Sequence, residues 1–252
     1  MKTTRYIITL LFSALLLASV TAYSKLPAAE EIVLGDFSEI RDGLPKGWKE
    51  LDFPRKPRHT EYRVEKDGEN FCVKAVSVEA ASALYRELGN MDEDLTKYPV
   101  LSWSWKVEGV LKNGNEALKE GDDYAARVYV TFEYEPAKAT YFERIKRRLA
   151  RAAFGMEPPG NAINYIWANK LKKDASVPNP YTETVMMVAV ESGEELVGRW
   201  VREERDIYED YRRLFKSAPP KITGIVLMTD TDNTKEKAVA YYSGIVLKKR
   251  AD

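Results

Sequence analysis

Along most of this chain apolar residues fall at every second position, and that period dictates pleated strands. The clearest case is YPVLSWSWKVEG (98–109), where Leu101, Trp103, Trp105 and Val107 share one face and Ser102, Ser104 and Lys106 the other. In DDYAARVYVTFEY (122–134), Ala126, Val128, Val130 and Phe132 point one way, and Asp123, Ala125, Arg127, Tyr129 and Thr131 the other. Five shorter strands, EIVLGDF, GWKELDF, TEYRV, NFCVKAVS and ALYREL, lie between Glu30 and Glu87, separated by RDGLPKG, PRKPRH and KDGE. Later strands are NAINYIWAN (161–169), TVMMVAVES (184–192), RWVREER (199–205), KITGIVLMTD and AVAYYSGIVLKK. The stretch VPNPYT reads as a turn or loop, since Pro178 and Pro180 keep it out of a central strand. Short strands punctuated this often predict an all-β chain folded as an antiparallel β-sandwich.

Helical spacing occurs twice. ATYFERIKRRLARAAF (139–154) carries Phe142, Ile145, Leu149 and Ala152 as a stripe, with Arg144, Lys146, Arg147, Arg148 and Arg151 around it. Such a basic amphipathic helix suits either a cap with a solvated face, the preferred reading, or peripheral contact with anionic lipid. DIYEDYRRLF (206–215) predicts a short helix with Asp206 as N-cap and Ile207, Tyr211, Leu214 and Phe215 buried. With no repeat or linker in view, one sandwich domain is expected over 30–252, with a helical insertion at 139–154.

The N-terminus has Lys2 and Arg5, an apolar run from Tyr6 to Ala18, and small residues ending at Ala22. This is the pattern of a secretory signal peptide over 1–22, followed by a tail at 23–29, and it predicts a periplasmic or secreted protein. Cys72 is the sole cysteine, so no internal disulfide can form, which suits a bacterial periplasm. Removing Lys2 and Arg5 from 39 basic and 39 acidic residues leaves a net charge of about −2, with no electrostatic reason to bind nucleic acid.

Several chemistries fall away. His59 is the only histidine, in a Pro/Arg loop, and there is no G-x-S-x-G, so triad catalysis lacks its parts. Histidine-rich zinc sites, P-loops and dinucleotide fingerprints are missing too. Carboxylates remain, because glycoside hydrolysis needs only two. ERDIYE (204–209) has Arg205 where a catalytic strand would place an apolar residue, and its acids fit the first turn of a helix. The stretch MTDTDNT (228–234) fails as an EF-hand, with Lys235 in place of the sharp-turn glycine and Tyr241 in place of the bidentate glutamate. A tight turn, a polar grip on a ligand and a calcium site fed by a distant carboxylate are the readings left. No catalytic residue is assigned and no cofactor is required, calcium being the one ion left open.

The motifs GLPKGW, YPVLSWSWKV, GDDYAARVYVTF, YIWAN, NPYT and TDTDNT…AYYSGI together resemble a bacterial family known as domain of unknown function 3047. That resemblance spans about residues 30–248 and implies an exported single domain without assigning an activity. More distantly, the early GLPKGW, the middle LSWSWKV and the closing strand pair look like galactose-binding-type jelly rolls and carbohydrate-binding modules.

The expected function is a non-catalytic binding module for a glycan or other polar cell-envelope ligand. A carboxylate-dependent hydrolase or lyase and a structural envelope protein are the alternatives. Sugar rings offer C–H faces to aromatic rings and hydroxyls to polar groups, which nominates Asp123, Arg127, Tyr129, Tyr165, Trp167, Asp230, Asp232 and Asn233. Trp103 and Trp105 are assigned to the core; Tyr165 and Trp167, which share a face with Ile163, are divided between core and ligand.

Overall fold

The alternating runs become two facing sheets. The computed structural model describes residues 31–41, 43–53, 56–88, 95–137, 144, 148 and 160–250. In chain order the strands are β1 (Glu31–Gly35), β2 (Ile40–Arg41), β3 (Leu44–Pro45), β4 (Trp48–Asp52), β5 (Glu61–Asp67), β6 (Asn70–Val78), β7 (Ser82–Glu87) and β8 (Val100–Val107). After them come β9 (Arg127–Phe132), β10 (Ala162–Ala168), β11 (Ser176–Asn179), β12 (Thr182–Ser192), β13 (Val201–Asp206), helix α1 (Ile207–Phe215), β14 (Ile222–Met228) and β15 (Lys237–Lys248).

One sheet runs β13-β8-β15-β6-β5, with β1 beside the second half of β15; the other runs β11-β12-β10-β9-β14-β7-β4. Strand β15 serves three neighbours, since opposite β8 its first half pairs with β6 and its second half with β1, and its pairing with β8 shifts between Ser243 and Val246. Gly244 sits in that irregularity at a φ of 60°, a backbone conformation that costs glycine nothing.

The sandwich is antiparallel except at one place. Strand β12 enters between β10 and β11 and runs parallel to β10. The segment read as a loop, VPNPYT, supplies β11, an edge strand in which Pro178 leaves no central ladder bond unmade. The strand expected over 122–134 is likewise shorter: β9 begins at Arg127, and 122–126 form a loop after a single 3-10 turn at Lys119–Gly121. Of the expected basic helix, only Arg144 and Arg148 are described, and both are helical; the rest of 139–154 lies outside the described residues. No described helix is long and apolar enough to cross a membrane.

Between the sheets, Leu101, Trp103, Trp105 and Val107 of β8 meet Val128, Val130 and Phe132 of β9 and Ile163, Tyr165 and Trp167 of β10. Four rings form a continuous stack. Tyr165 lies 5.3 Å from Trp103, Trp103 5.5 Å from Trp105, and Trp105 5.8 Å from Trp167. Contacts of this kind add about 0.5–1.5 kcal/mol each to the burial of the rings.

Helix α1 closes one end. Asp206 accepts a hydrogen bond from the Glu209 N–H at 2.9 Å, as an N-cap should, and Lys216 ends the helix in the left-handed conformation. Ile207 and Tyr211 are buried, with the Tyr211 ring 4.5 Å from Phe132 and 4.6 Å from Phe215. Replacing the cap, Asp206→Ala, is expected to lower stability by about 1 kcal/mol in urea unfolding. A change below about 0.3 kcal/mol would show that packing alone sets the helix start.

Candidate functional site

Because side chains alternate along a strand, the face of the seven-stranded sheet that turns away from the core also carries a defined set. Across it, Met187 of β12 stands beside Asn164 of β10, Asn164 beside Tyr129 of β9, Tyr129 beside Val226 of β14, and Val226 beside Tyr85 of β7. Tyr85 and Tyr129 pack with Val226, Met228, Ala83, Leu51 and Phe53 in a cluster of their own, separate from the core, and both rings stay part-exposed. Gly224 lets the Tyr85 ring lie against the sheet, since a Cβ there would sit 2.2 Å from Tyr85 Cε2. Asn164 is fully buried in this row, and neither its amide nitrogen nor its oxygen has a hydrogen-bond partner. A buried unpaired amide costs about 1–3 kcal/mol, so such groups mark places where something other than stability is served.

One end of this face is headed by a charged cluster in which the two stretches quoted above meet. Arg127, 2 % exposed, is the first residue of β9; Asp230, also 2 % exposed, lies just past Thr229 beyond the end of β14. Arg127 Nε donates to Asp230 Oδ1 at 2.8 Å, and Nη2 pairs with Asp230 Oδ2. Nη2 also donates to the Asp122 carbonyl at 2.9 Å, and Nη1 donates to the Tyr129 hydroxyl at 3.1 Å while lying 3.5 Å from Asp122 Oδ1. The guanidinium carbon stands 4.4 Å from the Tyr124 ring centroid, a cation–π contact. A planar, multiply donating cation is the side chain that fills such a niche; lysine could make only part of this set.

Sequence position follows from backbone bonds. The Asp230 N–H donates to the Tyr124 carbonyl, Thr229 Oγ1 donates to the Ala125 carbonyl, and the Tyr242 hydroxyl donates to the Met228 carbonyl. The MTDTDNT stretch is thus an enclosed loop seated on the 122–126 loop, with Thr229 and Thr231 both fully buried. Asp123 Oδ2 accepts from the Thr234 N–H at 2.6 Å and from Thr234 Oγ1 at 2.8 Å. Asn233 Nδ2 donates to the Asp122 carbonyl, and Asp232 pairs with Lys56.

Electrostatics at this head are unusual. Burial pushes the Asp230 carboxyl up, the Arg127 guanidinium pulls it back, and Asp123 pushes it further up. Burial likewise raises the Asp123 carboxyl, against the pull of the Thr234 bonds and Arg127. For Arg127, burial works against the charge and Asp230 holds the proton on, with a net rise. Burial also raises the Tyr129 hydroxyl, so it stays neutral and able to donate.

Six of the eight nominated residues come together: Asp123, Arg127, Tyr129, Asp230, Asp232 and Asn233. Tyr165 and Trp167 do not join them. Both are fully buried in the inter-sheet stack, their polar atoms turned to Asp210 and to the Gly193 carbonyl, so the core half of their divided reading is what the fold uses. Residues not nominated from sequence are Tyr85, Asn164, Tyr124, Lys56 and Asn179, whose Nδ2 donates to Asp122 Oδ2 at 2.9 Å. Alternation along NAINYIWAN could have exposed Asn164, since it points opposite Ile163 and Tyr165; the other four depend on long-range pairing.

Chemically, this is a gripping arrangement. One oxygen from each of Asp123, Asp230 and Asp232 lies within 4.8 Å of the others. A hydrolytic pair needs both carboxyl groups open to a sugar bond between them, whereas Asp123 and Asp230 are enclosed.

Among solved structures, CtCBM11 aligns with 90% of this chain and 99% of its own at 11% identity and a TM-score of 0.40. A mutant of the family 29 carbohydrate-binding module CBM29-2, complexed with cellulohexaose, aligns over 86% and 89% at 10% identity and 0.34. The family 11 xylanase from Neocallimastix patriciarum does so over 88% and 98% at 9% identity and 0.32. Likeness at this level assigns no function. Among curated proteins none matches significantly. The family described as Protein of unknown function (DUF3047) matches residues 46–246, and this chain belongs to it.

Proposed function

We propose that the protein is an exported, non-catalytic binding module that takes a glycan or similar polyhydroxylated envelope component on the outer face of its seven-stranded sheet. The observation that carries this reading is the row Asn164–Tyr129–Val226–Tyr85. Two part-exposed phenol rings flank an apolar strip there, beside a buried amide with no partner. Rings accept the C–H face of a sugar; the enclosed Asn164 amide, with a donor and an acceptor both free, reaches a sugar hydroxyl when a neighbouring side chain swings aside. Arg127 and Asp230 act as positioning residues, holding the Tyr129 hydroxyl and the rim loops from beneath. The signal-like N-terminus supports delivery to the periplasm or beyond.

Calorimetry against purified envelope polysaccharides tests the reading. A saturable heat is expected, and Tyr85→Ala should weaken it by about two- to tenfold, the worth of one ring contact. Absence of heat with every polymer, or an affinity indifferent to both Tyr85→Ala and Asn164→Ala, would sink it.

A further inference from the structure

Beyond the ligand face, the carboxylates at its head carry more negative charge than the described basic groups touching them can balance. Asp122, Asp123, Asp230 and Asp232 are met by Arg127 and Lys56. Arg127 is committed to Asp230 and the Asp122 carbonyl, and Lys56 reaches only Asp232. Asp123 is fully buried; Thr234 satisfies its Oδ2, while Oδ1 has no hydrogen-bond partner. Leaving an ionised oxygen enclosed and unpaired is among the costlier arrangements a protein can hold.

From this geometry we infer that Asp123, Asp230 and Asp232 form a binding site for a hard divalent cation of the calcium type. Carboxylate oxygens within 4.8 Å of one another fit around an ion with bonds of about 2.3–2.6 Å. A carboxylate oxygen has two lone pairs, so Asp230 Oδ2 can face both Arg127 and the ion. Three carboxylates are hard oxygen donors, and neither the sole histidine nor the sole cysteine belongs to the group. The ion would tie the 122–126 loop to the 229–234 loop. Asp232, only part-buried, gives it a way in, with the Lys56 ammonium as the competitor it displaces.

The test uses the full chain, stripped with chelator and titrated with calcium chloride alone, by calorimetry and by thermal melting. One site per chain and a melting temperature that rises with calcium are expected. Asp232→Asn, at a part-exposed position, should keep the fold and weaken calcium at least tenfold. Lys56→Met should tighten it by roughly five- to tenfold, which loss of a merely structural ion pair would not do. No calcium heat in the wild type, or binding unmoved by both substitutions, overturns the inference. These titrations contain no glycan, so their failure leaves the sheet-face reading standing, and failure of the polysaccharide titrations leaves the cation site standing.

Discussion

Arg127→Ala is expected to lower the free energy of unfolding by about 3–5 kcal/mol, the usual cost of removing one partner of an enclosed ion pair. The substitution leaves Asp230 enclosed without its cation and takes donors from the Asp122 carbonyl and the Tyr129 hydroxyl at once. It also removes the contact with the Tyr124 ring. Arg127→Lys should lose most of the same amount, because an ammonium cannot span both carboxylate oxygens and the carbonyl together. The double change Arg127→Met with Asp230→Met should be milder than the sum of the single changes, since no unpaired charge is then left inside. Urea unfolding followed by tryptophan fluorescence measures the wild type, these variants and the two single Met variants; a loss under about 1 kcal/mol for Arg127→Ala would mean that water reaches the pair. The same result bears on binding. Since Arg127 is enclosed, any loss of ligand affinity in Arg127→Ala reflects disorder of the loops it holds rather than a missing direct contact.

How much of this was legible beforehand divides along the range of the interactions. Strand identity came through because alternation is local: Trp103 and Trp105 against Ser102 and Ser104 need no partner to be read. The Asp206 cap was legible for the same reason, an acid standing just before a helical stripe. What pairing decides was not. Nothing in SVPN says that it will find the edge of β12, and nothing in TVMMVAVES says that it will run parallel to β10. Tyr165 and Trp167 were divided between core and ligand because alternation gives a shared face without saying which way that face turns. The site was half legible: two acidic stretches about a hundred residues apart were each visible, but only the ladder of β14 on β9, Met228 opposite Arg127, brings them together. Lys56 and Asn179 could not be found at all, since each joins the cluster from a loop or edge whose place the rest of the sheet sets.

A second enclosed acid predicts an effect of similar size. Glu203 of β13 and Glu191 of β12 come from opposite sheets, and each is less than a tenth exposed. Trp105 Nε1 donates to Glu203 Oε1 at 3.2 Å, and Lys173 pairs with Glu191. Burial, and then the charge of Glu191, push the Glu203 carboxyl up to about 7, against the lowering by the Trp105 bond, Lys173 and Arg205. In the unfolded chain the same group titrates near its ordinary value of about 4.3. Between those values the native state holds a proton that the unfolded state has released. Stability from this group is therefore complete below about pH 4 and falls as pH rises through 7. The full change is about 3.5 kcal/mol. Glu203→Gln places a neutral acceptor opposite Trp105 Nε1 at every pH. It should match the wild type near pH 4, exceed it by about 1 kcal/mol at pH 5 and by about 3.5 kcal/mol at pH 8, and flatten the profile between. Urea unfolding of both proteins at pH 5, 6, 7 and 8 isolates Glu203 in their difference, because every other titrating group is common to the two. A difference that stays constant across that range would place the Glu203 carboxylate in contact with water and a compensating charge, rather than in the enclosed edge of the sandwich.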